Sequence, residues 1–399
     1  MAAPKTDLLA PRSLLVVEGT RLKEDVTQFI ESVEYTEEEN CASRITIQVL
    51  NTGFRFLDER VFAEGNRIDL WMGYAGRPLH FMNRGYIVAP DPSFPRSGMP
   101  RLAVTAQDAS RKLMDSGTSD KGKVYSKQRD SDIASSIFKE EGIAPFLFET
   151  KSLVTRVRKR GTTRWQFLQH LARIHGYVVW CRYSPEQGVD LGYFGPPDVD
   201  DQPSKHKFSY GTGEPDATLL SFDPRFSLPS QTTKVEVVYS DPKTRKTHRV
   251  TVEVKRKDAE KTRFAAATGT SKLKEKISNG PVVQLTVLGQ REEVIADRQF
   301  YSPSDAKRFA CGWFERRQRD FAFGRGVAVG SPDVRMGHVH ELAGLGPRLS
   351  GDWQFTGVTH RVSGLSLAEL EFTATKVALK SVVGAPGNLT GATQVEASL

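Results

Sequence analysis

Few residues in this chain have the types and spacing for chemistry. His338, His340 and His360 form the one histidine grouping with a metal-like spacing, because alternate residues of a strand point the same way and can share an ion. Asp333 or Glu341 would have to complete the set. The pattern is too sparse to assign a metal, and His338 and His340 are expected as partly exposed strand positions. His170 and His175 are five apart, which is not the one-turn spacing of a helical zinc pair, and they read as surface or helix-end residues. Cys311-Gly312-Trp313 superficially resembles a thiol-protease nucleophile but falls mid-helix, with no motif-matched histidine downstream. The chain has no Gly-x-Ser-x-Gly elbow, no Gly-x-x-x-x-Gly-Lys-Ser/Thr phosphate loop and no strand-linked Gly-x-Gly-x-x-Gly. Glu37-Glu38-Glu39 and Glu292-Glu293 are neighbours in polar runs, where nothing separates an acid from a base. The expectation is a protein with no catalytic residue, no metal and no cofactor, that is, not an enzyme.

At 399 residues the chain is long enough for two to four domains, each with its own core. Its net charge of +8 rests on 56 basic against 48 acidic residues, so the excess is mild and interspersed. Two clusters stand out, Arg156-Val157-Arg158-Lys159-Arg160 and Lys255-Arg256-Lys257 with Lys261 and Arg263; each reads as a solvated strand or loop face rather than a nucleic-acid site. Three scattered cysteines, Cys41, Cys181 and Cys311, argue against a disulfide framework and fit a reducing cytosol. The first residues lack the apolar core of a signal peptide, and no window reaches the ~18 apolar residues of a membrane span. A soluble chain made without Sec-type export is expected, with no membrane insertion.

The elements that must position these residues are mostly strands. From Leu14 to Leu113, Ile45, Ile47 and Val49 alternate with polar neighbours, as do Ile68, Leu70 and Met72. Pro90-Asp91-Pro92-Ser93-Phe94-Pro95 is expected to be a surface loop, since proline cannot serve a central strand. Between Asp115 and Tyr210 the period switches. Asp130 or Ser131 is a candidate cap for a helix carrying Ile133, Ile137 and Phe138 toward a stop at Gly142. Thr162 or Thr163 caps a second helix with Trp165, Phe167, Leu168 and Leu171 inward, and Gly176 ends it before a strand at Tyr177-Val178-Val179-Trp180. Val235, Val237 and Tyr239, then Val250, Val252 and Val254, form a hairpin; residues 258–280 read as an exposed loop; Pro303 opens a helix with Ala306, Phe309, Ala310 and Trp313 inward. Three glycine-bounded strands follow in residues 330–376, where Trp353, Phe355 and Val358, then Leu370, Phe372 and Ala374, give the alternation of a half-buried sheet.

Two stretches carry a family resemblance. One is Arg164-Trp165-Gln166-Phe167-Leu168 running through Gly176 into an aromatic strand. The other is Gly337 before a strand, then Ser350-Gly351-Asp352-Trp353 and Val358-Thr359-His360, then an apolar-threonine strand. In this order they resemble the tail-hub proteins of contractile phages and injection systems, the phage late-control D family, whose hub also forms the base of type VI secretion spike proteins. The family's usual acidic residue before the first aromatic is Arg164 here. The resemblance spans most of residues 14–376 and marks Trp165, Phe167, Leu168, Gly176, Gly337, Gly351 and His360 as structural motif positions.

It implies a mainly β fold with an α/β insert: a first barrel in residues 1–114, the insert in 115–214, a second related barrel in 215–380 that includes a helix at 303–320, and a flexible tail at 381–399. It also implies a homotrimer whose six barrels join the six-fold tail tube to a three-fold central spike made as a separate polypeptide. Baseplate wedge proteins would surround it and the tape measure would enter its lumen, in a virion or injection-system baseplate assembled in the bacterial cytoplasm. Two other classes stay open, a tail-associated hydrolase and a basic nucleic-acid-binding β protein.

Overall fold

The computed structural model describes residues 10–116, 122–150, 153–197, 205–211, 217–226, 232, 234–240, 246–257, 264–265, 277–278, 292–296, 300, 303–319, 322–363, 369–376 and 392–398. The first barrel uses strands β1 (Pro11–Val17), β2 (Thr20–Arg21), β3 (Ile30–Glu38), β4 (Arg44–Leu50), β5 (Arg67–Tyr74), β6 (His80–Ser93) and β7 (Arg101–Gln107), with one-turn helices α1 (Glu24–Thr27) and α2 (Arg55–Asp58) between them. Its core is the alternation visible in the letters: Ile45, Ile47, Val49, Ile68, Leu70 and Met72 are all buried. The β6 strand runs on through Pro90 and Pro92, which pair opposite Val104 and Leu102, so the expected loop at 90–95 is strand as far as Ser93. Among the described residues β5 pairs with β6 only up to Tyr86. Past Ile87, which still exchanges hydrogen bonds with Gly65 and Asn66, no strand among the described residues pairs with the outer edge of β6, and alternate positions there can lack an N–H without costing a ladder bond.

Helix α3 (Ser110–Asp115) leads into the insert, which holds β8 (Lys123–Gln128), α4 (Asp130–Glu140), β9 (Ala144–Leu147), β10 (Val154–Arg158), α5 (Arg164–His175), β11 (Val178–Ser184) and β12 (Val189–Gly195). Thr163 and Gln166 form a reciprocal capping box at the start of α5, and Gly176 closes it at φ +68°. No side chain caps α4; Asp130 and Ser131 turn inward instead, Ser131 bonding Thr150.

The second barrel comprises β13 (Lys207–Ser209), β14 (Leu219–Phe226), β20 (Ala322–Val329), β21 (Val339–Ala343), α7 (Gly346–Leu349), β22 (Gly351–Ser363) and β23 (Glu369–Lys376). Between β14 and β20 lie β15 (Lys234–Ser240), β16 (Thr247–Lys257), the short pair β17 (Phe264–Ala265) and β18 (Ile277–Ser278), β19 (Glu292–Ile295) and α6 (Pro303–Arg319). Two observations bear on how the elements group. The second barrel begins with β13, before residue 215, and the helix at 303–320 is not part of it. Val235, Val237, Val250, Val252, Phe309 and Phe314 share one core with Trp165, Leu168 and Leu171 of α5. A Cβ on Gly312 would meet the Gly176 backbone within 3.1 Å, so two glycines let α6 touch the end of α5. The sequence shows that α6 has an apolar face, but not what that face meets.

Most of the 258–280 loop lies outside the described residues, as does 381–391 of the expected tail. The remainder of that tail contains β24 (Ala392–Ser398), antiparallel on β16. The dominant sheet has 13 strands and runs β14-β20-β23-β22-β3-β4-β7-β6-β5-β1-β2, with β21 and β13 branching off β22. One pairing, β22 with β3, unites the two barrels in a mainly β molecule, with Thr36 opposite Thr359, Tyr35 opposite His360 and Val33 opposite Val362. Among the described residues no helix is long and apolar enough to cross a membrane.

Candidate functional site: a buried junction

Where β3 meets β22, the alternation that buries Val33 and Tyr35 places Glu37 inside the molecule, 2% exposed. A carboxylate taken from water must be paired and hydrogen-bonded. Arg182 of β11 reaches it with Nε at 3.2 Å, and Arg335, between β20 and β21, with Nη1 at 3.1 Å. The Tyr35 hydroxyl donates to Glu37 at 2.5 Å, and the Met336 N–H donates at 3.3 Å. Asn83 of β6 donates to the Tyr35 hydroxyl at 3.2 Å and accepts the Tyr183 N–H at 2.9 Å. Arg335 also donates to the Met82 carbonyl, and Arg182 lies 4.4 Å over the Trp180 ring, which stacks on Tyr193. One carboxylate thus ties together the first barrel, the insert and the second barrel.

Burial pushes the Glu37 carboxyl up, but the two guanidiniums, with Tyr35 and Met336, pull it down further, to about 2. Burial, reinforced by the Glu37 charge, pushes the Tyr35 hydroxyl well above its ordinary value. The junction is a fixed ion-paired network, one carboxylate between two guanidiniums, rather than a group poised to exchange a proton.

The histidines singled out in the sequence occupy the neighbouring interior of the second barrel. His338 and His340 are 2% and 0% exposed, which corrects the expectation of partly exposed positions. His340 Nδ1 accepts the His206 N–H at 3.1 Å, and His206 Nε2 faces Asp333 at 2.5 Å. His360 Nε2 meets the Val334 carbonyl at 2.9 Å, so that nitrogen carries the proton. The rings are turned toward separate partners, and among the described residues no group of three or more His, Cys, Asp or Glu could hold a metal ion. Burial, then the neighbouring His206 and His338, lowers His340 to about 3. Burial, then Arg335, lowers His360 to about 4.

The other motif positions are framework. Trp165, Phe167 and Leu168 fill the insert core. Gly337 sits at φ +92° and donates its N–H to Phe355, while Gly351 starts β22 at φ +121°. His175 is buried rather than superficial: its Nε2 lies 2.8 Å from Asp130, which Arg156 also grips with two hydrogen bonds. Arg156 and the 1%-exposed Arg158 therefore leave the solvated face expected for the 156–160 run. The side chains of Lys255, Arg256 and Lys257 lie outside the described residues, as do Lys261 and Arg263. Sequence reasoning left Glu37 in a polar run of three glutamates and passed over Arg182 and Arg335. The available signal was Tyr35-Thr36-Glu37, where alternation puts a charge on the same side as Val33.

Set beside solved structures, the fold has clear likenesses. The tail protein from Neisseria meningitidis MC58 aligns over 92% of this chain and 96% of its own, with a TM-score of 0.63 and 10% identity. The 43 kDa tail protein of prophage MuSo2 from Shewanella oneidensis aligns over 91% and 98%, at 0.60 and 12%. The Francisella PdpA-VgrG complex in its lidded form has a chain that aligns over 92% of this one and 53% of its own, at 0.51 and 7%. At such identities the likeness is one of fold. None of the curated proteins matches the sequence. Residues 11–364 match the family described as the Alg8 N-terminal domain, a span from β1 to the end of β22 that takes in the first barrel, the insert, the junction and the second barrel short of β23. The chain belongs to the Alg8 N-terminal domain family.

Proposed function

We propose that this protein is a structural component of a contractile tail or injection-system baseplate, its central hub. The observation that carries the reading is the union of two β-barrels in one sheet through β22 and β3, locked by the buried Glu37 network. A chain with two barrels held at a fixed angle can present six barrels as a three-fold ring, the means by which a homotrimer adapts a three-fold spike to a six-fold tube. The tail proteins that share the fold support a tail or baseplate role. The partners proposed are two further copies, the tube protein, a spike protein, baseplate wedge proteins and the tape measure, in a virion or injection-system baseplate assembled in the bacterial cytoplasm. The work is mechanical, and no catalytic step is assigned. The strongest polar constellation, at Glu37, is engaged by internal ion pairs and hydrogen bonds, which favours this reading over a hydrolase.

Co-expression with candidate tube and spike proteins tests it. Co-sedimentation with both in a fixed ratio is expected. Failure to bind either, together with clearing of cell walls or a salt-dependent shift of duplex DNA, would replace the hub with one of the two other classes.

A further inference from the structure

The ribbon of β8 and β10 is the least covered sheet of the insert. It has only two strands, six and five residues long, and among the described residues neither outer edge is paired. Ribbons of that size depend on burial against something else. The inner face has it: Tyr125 and Val154 are 3% exposed and Arg158 is 1% exposed. The outer face does not. Val124 and Val157 stand directly opposite each other at 61% and 57% exposure, and Leu153, just before β10, is 64% exposed. Ser126 and Thr155 complete an outer surface of branched and hydroxyl side chains, the composition that suits a neighbouring strand.

The unmatched charge around this face is basic. Arg156 is used internally on Asp130, and Arg158 donates to the Thr162 carbonyl. Lys123 and Arg129 are matched by Glu140 and Glu149. Lys127, Lys159 and Arg160 are exposed, and among the described residues none of them has a carboxylate within ion-pair distance. A surface that is apolar at its centre and basic at its rim is complementary to an apolar segment flanked by carboxylates.

We propose that this face is a docking surface for an extended acidic segment of a partner protein, added as a third strand to the β8–β10 ribbon. Backbone pairing at an open edge supplies affinity, alternate apolar side chains cover Val124, Val157 and Leu153, and the carboxylates between them meet Lys127, Lys159 and Arg160. Nucleic acid fits less well, because the outer face offers branched aliphatic groups where bases would need aromatic rings to stack on.

The probe is a short fluorescent peptide alternating Val and Glu, titrated into the full chain, with a Val-Lys peptide as control. Saturable binding of the acidic peptide alone is expected, weakened about tenfold by raised salt and about tenfold by the double change Lys159→Glu and Arg160→Glu. The double change Val124→Ser and Val157→Ser should weaken it by at least about fivefold, with an unchanged melting curve because both side chains are exposed. The milder Val124→Thr serves if that variant folds poorly. Amide exchange should slow in residues 123–128 or 154–158 when peptide binds. No saturable binding, equal binding of the Val-Lys peptide, or indifference to these substitutions would overturn the proposal. So would loss of self-association in the valine variant without peptide binding, which assigns the face to contact between copies, or binding of duplex DNA through the same lysines.

Discussion

The two barrels fill the same architecture with different matter. The first packs mainly aliphatic side chains, with Val33, Ile45, Ile47, Val49, Leu70, Leu102 and Val104 all nearly inaccessible, and the rings of Tyr35, Phe56 and Phe62 among them. The second packs rings: Phe355 stacks on Phe372 at 4.2 Å and 3°, Phe208 and Phe222 lie against that pair, and Trp353 meets Phe222 edge-on at 4.8 Å. Room for them is made on β20, where a Cβ at Gly324 would overlap Phe222 and one at Gly326 would overlap Phe372. Buried imidazoles complete that interior. The first barrel should therefore tolerate volume changes and pH, while the second should answer sharply to both. The junction belongs to neither and should outweigh both.

The largest effect is expected at the junction. Glu37→Ala leaves the largely covered Arg182 and Arg335 without their shared carboxylate and should cost about 3–5 kcal/mol, read as a shifted denaturation midpoint. A loss under about 1 kcal/mol would mean that the barrels are held together elsewhere.

The next effect is pH dependence led by the buried imidazoles of the second barrel. His360 and His340 have folded-state values of about 4 and about 3 against 6.5 unfolded. The unfolded chain therefore binds more protons between pH 6.5 and those values, and stability falls as pH falls. For His360 alone the loss approaches about 3 kcal/mol at full titration. Asp108, in the loop after β7, opposes this: burial raises it from 3.8 to about 6, so its protonation favours the fold between those values. With two histidines against one carboxyl the net slope still runs downward on acidification. The depressed Glu37 adds its own loss below about 4.5. His360→Gln keeps a donor for the Val334 carbonyl and should flatten the melting-temperature profile between pH 6.5 and 4. An unchanged profile would place the titration elsewhere.

Smaller changes sharpen the contrast. Gly326→Ala should cost about 1–3 kcal/mol by forcing Phe372 off its stack, although it adds a single methyl. Removing a methyl from the first barrel by Ile47→Val should cost only about 0.5–1.5 kcal/mol. Equal costs in the two barrels would erase the distinction drawn from their cores.

Much of this was legible in the chain. Strand alternation around Ile45, Ile68 and Trp353, and the Thr163 to Gly176 helix with its cap and stop, depend on local rules, and the structure has them where the letters put them. The failures share a cause. Glu37 is one of three adjacent glutamates, and its partners Arg182 and Arg335 lie 145 and 298 residues away, beyond any periodic signal. The apolar face of α6 is visible, but its choice of α5 over the barrel depends on Gly176 meeting Gly312 across more than a hundred residues. Pro90 and Pro92 were read by the rule for central strands, whereas they lie on the end of β6 that runs past β5 and pairs with β7 alone, which only the strand register reveals. His338 and His340 alternate correctly, yet alternation does not tell a lumen from a core.

The central proposal is that two unlike barrels, joined through β22 and β3, serve as repeating units of a ring. Native light scattering of the full chain, alone and with its spike protein, tests it most directly. The account predicts a species of three chains of 44.4 kDa each, formed at least in the presence of spike, and its loss in Glu37→Ala. A wild-type chain that stays monomeric with spike, tube and wedge proteins all present would contradict it.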